Sequence, residues 1–239
     1  VLLVSFSCWN VDIVKPPEIP DVSFPTIGII AHYPFSYSLN DASGNGYNGV
    51  FYNTIWYAQD RFGFSSSSYY VKSSNNGYVD LPASISITSS FSISFWIKTG
   101  KTKNESFDAA CYLIDRNING CFYDWSLRYG EGKRILFNTG TNSTNYTLIS
   151  TVEVGDNNWH HVCAVFNDSL SSKQLYIDGI LRGQVSFSGG TFANNNIPIS
   201  VGYPSSFEGS IDDIRLYNRA LSLEESNLLY IENGWGLKK

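Results

Sequence analysis

The chain has 239 residues, a formal net charge of −5 and no methionine. Its lysines and arginines form no cluster, which leaves no electrostatic footprint for a nucleic-acid backbone or an anionic membrane surface and argues against nucleic acid as a partner. An apolar content of 43%, with 15% of residues aromatic, suffices for one large sandwich or barrel or for two small domains, of which one domain is expected, and the absence of an initiator Met suggests a processed form or a fragment.

In chain order, Val1 to Phe6 (VLLVSF) reads as the tail of an apolar signal segment, ending at Ser7 before Cys8. It resembles a bacterial lipoprotein cleavage site, although Ser5 stands where Leu or Val is usual and the basic start is missing. The expectation is lipid on Cys8; the alternative is an apolar strand that buries Cys8. Pro16, Pro17, Pro20 and Pro25 then favour an extended tether. Residues 1–25 are therefore assigned to leader remnant and tether, and residues 26–239 to one domain. The expected location is a bacterial cell surface or outer membrane, lipid-anchored, or secretion. A membrane contact is expected only through Cys8.

From there, period-2 segments separated by turn residues predict an all-β fold. Phe91, Ile93, Phe95 and Ile97 share one face of FSISFWIK, and Tyr123, Trp125, Leu127 and Tyr129 share one face of the next clear strand, with Asp124, Ser126 and Arg128 opposite. WHHVCAVF (159–166) and KQLYI (173–177) follow, and Asp178-Gly179 is a strong hairpin turn before 180–184. Strands at 197–202 and 210–217 close the β portion. Ser222 and Glu225 form a capping box ahead of one short helix. A two-sheet antiparallel sandwich accounts for all of it.

Cys111 and Cys121 flank the polar turn RNING, and one reading is a disulfide across that hairpin, its feasibility set by register. Cys163 reads as a small core hydrophobe. His161 shares its face, which leaves a Cys/His nucleophile or metal pair as the sharper but weaker reading. Asn-x-Ser/Thr triplets at Asn104, Asn142, Asn145 and Asn167 are what polar, Asn-rich loops produce by chance.

The run FEGSIDDIRLY (207–217) poses a question of burial. Strict alternation places Asp212 on the side of Ile214 and Leu216, and Asp213 with Ile211, Arg215 and Tyr217. A carboxylate on an apolar face must be paired, hydrogen-bonded or metal-bound.

The order of segments resembles the laminin G-like domains of the concanavalin A-like lectin/glucanase fold. The residues that carry the likeness are AHYPFSYSLNDASGNGYNGVF (31–51), DRFG (60–63), NGYVDLP (76–82), FSISFWIK, DNNWHHVCAVF, LYIDG and EGSIDDIRLYNRALSLEE. The resemblance implies a jelly-roll sandwich and, in many such folds, a structural calcium ion on its outer part. The flexible, oxygen-rich loop DASGNG suits calcium, which places Asp41, Asn45 and Asp212 around it. The competing reading is an Asx-type turn at Asp41 and Ser43, with Asp212 capping amides of the same loop.

Glycosidases of this broad fold carry a strand of closely spaced carboxylates of the E-x-D-x-E type; this chain has none, and no G-x-S-x-G elbow or phosphate loop. A non-catalytic recognition domain is therefore expected. Trp56, Tyr57, Tyr69, Tyr70, Tyr123 and Tyr203 are candidate platforms for sugar C–H faces, with Asp124 and Arg128 as polar groups. Core filling is the commoner use of such rings. The expected partner is a glycan, the alternative a cell-surface protein in an outer-membrane or extracellular assembly.

Overall fold

Among the described residues, fifteen strands form in the order β1 (Ile29–Tyr33), β2 (Val50–Tyr52), β3 (Trp56–Ala58), β4 (Ser68–Val71), β5 (Tyr78–Leu81), β6 (Phe91–Lys98), β7 (Cys111–Ile118), β8 (Cys121–Gly130), β9 (Arg134–Thr141), β10 (Thr144–Ile149), β11 (Trp159–Asn167), β12 (Ser172–Ile177), β13 (Ile180–Ser186), β14 (Ile199–Val201) and β15 (Gly209–Tyr217). The computed structural model describes residues 23–72, 77–101, 111–118, 121–130, 132–141, 144–187, 196–202 and 207–238. Cys8 and Tyr203 lie outside them, as does the side chain of Tyr123.

The strands build two antiparallel sheets. The first runs β13-β12-β11-β6-β15-β4-β3, with β1 also paired to β15, and the second runs β10-β9-β8-β7-β14-β5-β2. Alternate residues of each strand meet between the sheets, as period 2 requires. Phe91, Ile93, Phe95 and Ile97 from β6 pack with Trp125, Leu127 and Tyr129 from β8 and with Ile211, Ile214 and Leu216 from β15. The fold is thus the expected all-β sandwich with one short C-terminal helix.

Local signals act where the sequence places them. Asp178 and Gly179 both have positive φ, 52° and 73°, and turn β12 into β13. Helix α1 (Leu223–Ile231) starts at Ser222, whose side chain accepts from the Glu225 amide while the Glu225 carboxylate accepts from the Ser222 amide. The helix covers the outward side of the first sheet, where Leu221 and Leu229 cluster with Cys163, Val165, Tyr176 and Tyr217. A 3-10 segment (Glu232–Lys238) continues over the same side. No helix among the described residues is long and apolar enough to cross a membrane.

Two expectations are corrected by register. Cys111 pairs with Tyr129 and Cys121 with Ile118, so the two cysteines sit at opposite ends of the β7–β8 pair, about 23 Å apart at strand rise. No disulfide spans that gap, and Cys111 is a buried free thiol. The second correction is in β15, where the pairing with β6 shifts between Asp212 and Arg215 and Asp213 takes φ 51°. This bulge adds one residue to β15. Ile211, Ile214 and Leu216 then all face the core, while Asp212 stands opposite Trp96 and Arg215 opposite Ser94, outside it. Asp212 is therefore not on the apolar face that strict alternation assigned to it.

Candidate functional site

Outside the first sheet, the two bulge carboxylates anchor a buried charge network. Arg61, from the DRFG loop, reaches Asp212 Oδ2 through Nη1 at 3.2 Å and Asp213 Oδ2 through Nη2 at 3.0 Å. His32 Nε2 lies 2.7 Å from Asp213 Oδ1, and Arg215 bridges Asp213 at 3.1 Å to Glu232 at 2.6 Å. The Arg61 guanidinium also stacks over Trp96 at 4.6 Å. Burial raises the Asp212 carboxyl well above the usual range, reinforced by the charge of Asp213 and opposed by Arg61. Asp213 is also desolvated, but Arg215, His32 and Arg61 together hold it far below that range. The network ties β1, the DRFG loop, β15 and the C-terminal segment together.

That arrangement decides how Asp41, Asn45 and Asp212 suit calcium. Both Asp41 oxygens are taken: Oδ1 accepts from the amides of His32 (3.0 Å) and Ser43 (2.9 Å), and Oδ2 from the Tyr47 amide (3.0 Å) and the Ser43 hydroxyl (2.9 Å). These bonds outweigh desolvation and hold the carboxyl below its ordinary value. Asn45 Nδ2 donates to the carbonyls of Ile29 and Ile30 at 3.3 and 2.9 Å. Asp212 faces a guanidinium, which supplies the positive charge an ion would bring. The three residues, so engaged, do not fit a shared calcium ion, and Asp41 makes the Asx-type turn instead. No group of three or more His, Cys, Asp or Glu side chains among the described residues converges as a metal site would.

Nor do Cys163 and His161 form a nucleophilic pair. Burial pushes the thiol up to about 12, and its hydrogen-bonding neighbour is the Ser226 hydroxyl at 3.5 Å. His161 is fully buried, contacts Ser94 Oγ at 2.8 Å, and is driven down to about 3 by desolvation.

The expected ligand set is divided between the two sheets. Asp124 and Arg128 project from β8 on the outward side of the second sheet, 4% and 2% exposed. Arg128 donates Nε to Ser126 Oγ at 3.1 Å and lies 4.3 Å over the Tyr112 ring. Burial pushes the Asp124 carboxyl up to about 7, against the pull of Arg116. Trp56, by contrast, is on edge strand β3 of the first sheet and 49% exposed.

Trp56 begins a row that crosses five strands. It pairs with Tyr70 on β4, Tyr70 with Ser210 on β15, Ser210 with Lys98 on β6, and Lys98 with Trp159 on β11. Cross-strand partners share a face, and the row spans about 19 Å at normal strand spacing. Sequence alternation explains the outward aim: Tyr69, Ile97 and Ile211, beside Tyr70, Lys98 and Ser210, are core residues.

Along this row lies a cleft of about 720 Å³ whose walls include Gln59, Tyr70, Lys98, Lys101, Asn157 and Glu208. Thr99 pins those walls. Its Oγ1 donates to the Glu208 carbonyl at 2.8 Å and accepts from the Lys101 amide at 3.2 Å, while its carbonyl accepts from the Asn157 amide at 2.9 Å. Gly209 forms the floor, where a Cβ would come within 2.5 Å of the Lys98 carbonyl oxygen. Tyr70 Oη donates to Glu208 Oε1 at 3.2 Å, and burial followed by the Glu208 charge raises the phenol. Of the aromatic candidates, Tyr70 lines the cleft and Trp56 stands next to it as its cross-strand partner; Tyr69 is buried in the core. Lys98, Asn157 and Glu208 carry no motif that singles them out; only strand register brings them together.

A laminin G family model, described as the concanavalin A-like lectin/glucanases superfamily, matches residues 73–225. The chain belongs to this superfamily. No curated protein matches the laminin G-like chain by sequence. Among solved structures, domain 4 of AbnA, an extracellular arabinanase of Geobacillus stearothermophilus in complex with arabinotriose, superposes with a TM-score of 0.68 at 19% identity, over 84% of this chain and 98% of that domain. The binding domain of Paraclostridial Mosquitocidal Protein 1 gives 0.67 at 20% identity, over 86% of this chain and 52% of that one. The binding domain of botulinum neurotoxin DC, in complex with SialylT, gives 0.69 at 17%, over 86% and 51%. The laminin G-like chain thus spans about half the length of the toxin binding domains and nearly all of the arabinanase domain. At these identities the likeness is one of fold.

Proposed function

We propose that this laminin G-like domain is a non-catalytic carbohydrate-recognition module and that its site is the cleft on the Trp56–Tyr70–Ser210–Lys98–Trp159 row. The carrying observation is the cross-strand register that sets exposed Trp56 beside Tyr70, itself a wall of the cleft. Rings supply flat apolar area for sugar C–H faces, and Gln59, Asn157 and Glu208 supply hydrogen-bond partners for hydroxyls. The row's length suits an oligosaccharide rather than a single ring. Glu208 is the only carboxylate among the described cleft residues, whereas glycoside hydrolysis of the usual kind takes two. Similar folds in complex with arabinotriose and with SialylT support the reading.

Calorimetric titration of the folded domain against a glycan panel tests it. A defined oligosaccharide should bind, and Trp56→Ala should weaken it roughly 3- to 10-fold. If nothing in a broad panel binds the folded protein, or if Trp56→Ala and Tyr70→Ala leave binding intact, the cleft is not the site.

A second reading, a protein-binding subunit, is favoured by one observation. Ile180, Leu181 and Leu223 are 51%, 40% and 48% exposed around a hollow of about 500 Å³ between the β12–β13 turn and α1. Leu181→Glu would abolish such an association and leave glycan binding alone. Display at a bacterial surface through lipid at Cys8 belongs to the same proposal and rests on the VLLVSFSC run. Labelled-lipid incorporation that survives Cys8→Ser would refute it.

A further inference from the structure

The charges in the cleft are unequally satisfied. Glu208 is engaged by Tyr70 at 3.2 Å and by Lys101 Nζ at 3.4 Å, both on the same oxygen. Lys98 is different: its ammonium has no hydrogen-bond or ion-pair partner among the described residues, and it stands half-buried between Ser210 and Trp159 in the row. The chain carries 21 acidic against 16 basic residues, so a cleft lysine with no ion pair among the described residues goes against its own composition. At the other end of the aromatic pair, Lys72 Nζ lies 5.4 Å over the Trp56 ring. Two ammonium groups therefore bracket Trp56 and Tyr70, with the neutral amides of Gln59 and Asn157 on the cleft walls.

We infer that the cleft takes an acidic glycan, a sugar chain bearing carboxylates such as a polyuronate, with one carboxylate docked on Lys98 and the adjoining sugar rings against Tyr70 and Trp56. This rests on the carbohydrate reading of the same cleft and adds the class of sugar. A partly desolvated ammonium binds a carboxylate more strongly than a neutral hydroxyl, because the hydrogen bond is charge-assisted. Density of charge also matters. Glu208 beside Lys98, and a net charge of −5 on the whole chain, disfavour a closely spaced polysulfate and favour carboxylates spaced one per sugar.

The test uses matched pairs that differ only in charge: oligogalacturonate and oligoguluronate, each against its methyl ester, with neutral arabino-oligosaccharide and dextran sulfate alongside. The folded domain is titrated by calorimetry at low and at physiological salt. One acid form should bind roughly tenfold or more tightly than its ester, and salt should narrow the gap. Lys98→Gln should abolish the acid's advantage over its ester, while Lys98→Arg should preserve it. The Arg variant separates lost charge from lost packing. Equal binding of acid and ester, an advantage that survives Lys98→Gln, or tighter binding of dextran sulfate than of either uronate would overturn the acidic-sugar inference. Neutral arabino-oligosaccharide binding that Trp56→Ala weakens would, in that case, leave the carbohydrate reading standing. Binding of none of these sugars, together with silence across the wider glycan panel, would remove both.

Discussion

Two adjoining regions outside the first sheet use the same side-chain chemistry to opposite effect. Around the β15 bulge, Arg61, Arg215 and His32 are matched to Asp212, Asp213 and Glu232, all nearly closed to solvent. One step along the same strands, Lys98 stands half-open, its ammonium without a hydrogen-bond or ion-pair partner among the described residues. Buried charges that satisfy one another are fixed by the fold, because removing either partner strands the other in a poor solvent. A charge left unmatched beside exposed rings is free to be satisfied from outside. Lys173 makes the contrast sharper. It is wholly buried, yet its Nζ donates to the carbonyls of Phe137 and Tyr146 and bridges the two sheets.

The comparison breaks most visibly at Arg61. Arg61→Ala should destabilise the domain by about 3–5 kcal/mol, since Asp212 and Asp213 stay buried without it. Chemical denaturation measures this, and a loss near zero would show that the network is not structural. Gly209→Ala strikes the cleft floor, where the added methyl meets the backbone of Lys98. About 1–3 kcal/mol of stability should go with it, and sugar affinity should fall in the protein that still folds.

Lys173 predicts a pH dependence. Burial pushes its ammonium down to about 7 in the folded state from the ordinary value of 10.5. Between those values the unfolded chain holds more protons than the folded one, so stability should rise with pH, by about 1–2 kcal/mol from pH 7 to 9. Lys173→Met should flatten that slope. The smallest stability effects belong to the open region: Trp56→Ala and Lys98→Gln should shift the unfolding free energy by less than about 0.5 kcal/mol while changing sugar binding. Calcium or a chelator should leave the midpoint where it is. A calcium-dependent rise would mean that Asp41 gives up its amide partners for the ion.

Much of the fold was legible because period 2 is a strong signal where one side of a strand is buried. β6, β8 and β11 follow it, and the Asp178-Gly179 turn and the Ser222 cap sit where their side-chain chemistry demands. RILFNTGT and TNYTLI, which become β9 and β10, carry too many Asn, Thr and Gly residues to announce a hairpin by pattern alone. The bulge at Asp213 was illegible for a related reason. One inserted residue reverses which side chains point inward, and DD gives no warning of it. The same limit applied to Cys111 and Cys121, which flank one turn in sequence but not in register. At the cleft, Trp56 and Tyr70 were readable as candidate rings. Lys98, Thr99, Asn157 and Glu208 were not, since their neighbourhood depends on pairings between strands far apart in the chain.

That dependence carries a temporal consequence. Trp56, Lys98, Trp159 and Ser210 come together only after β3, β4, β15, β6 and β11 have all found their places in one sheet, and pairings so distant along the chain form slowly. A polypeptide still leaving a ribosome or a translocation channel lacks the platform until Ser210 has emerged. Recovery of ligand binding after dilution from denaturant would therefore mark the completion of the sheet, and it should lag behind the burial of tryptophan in the core.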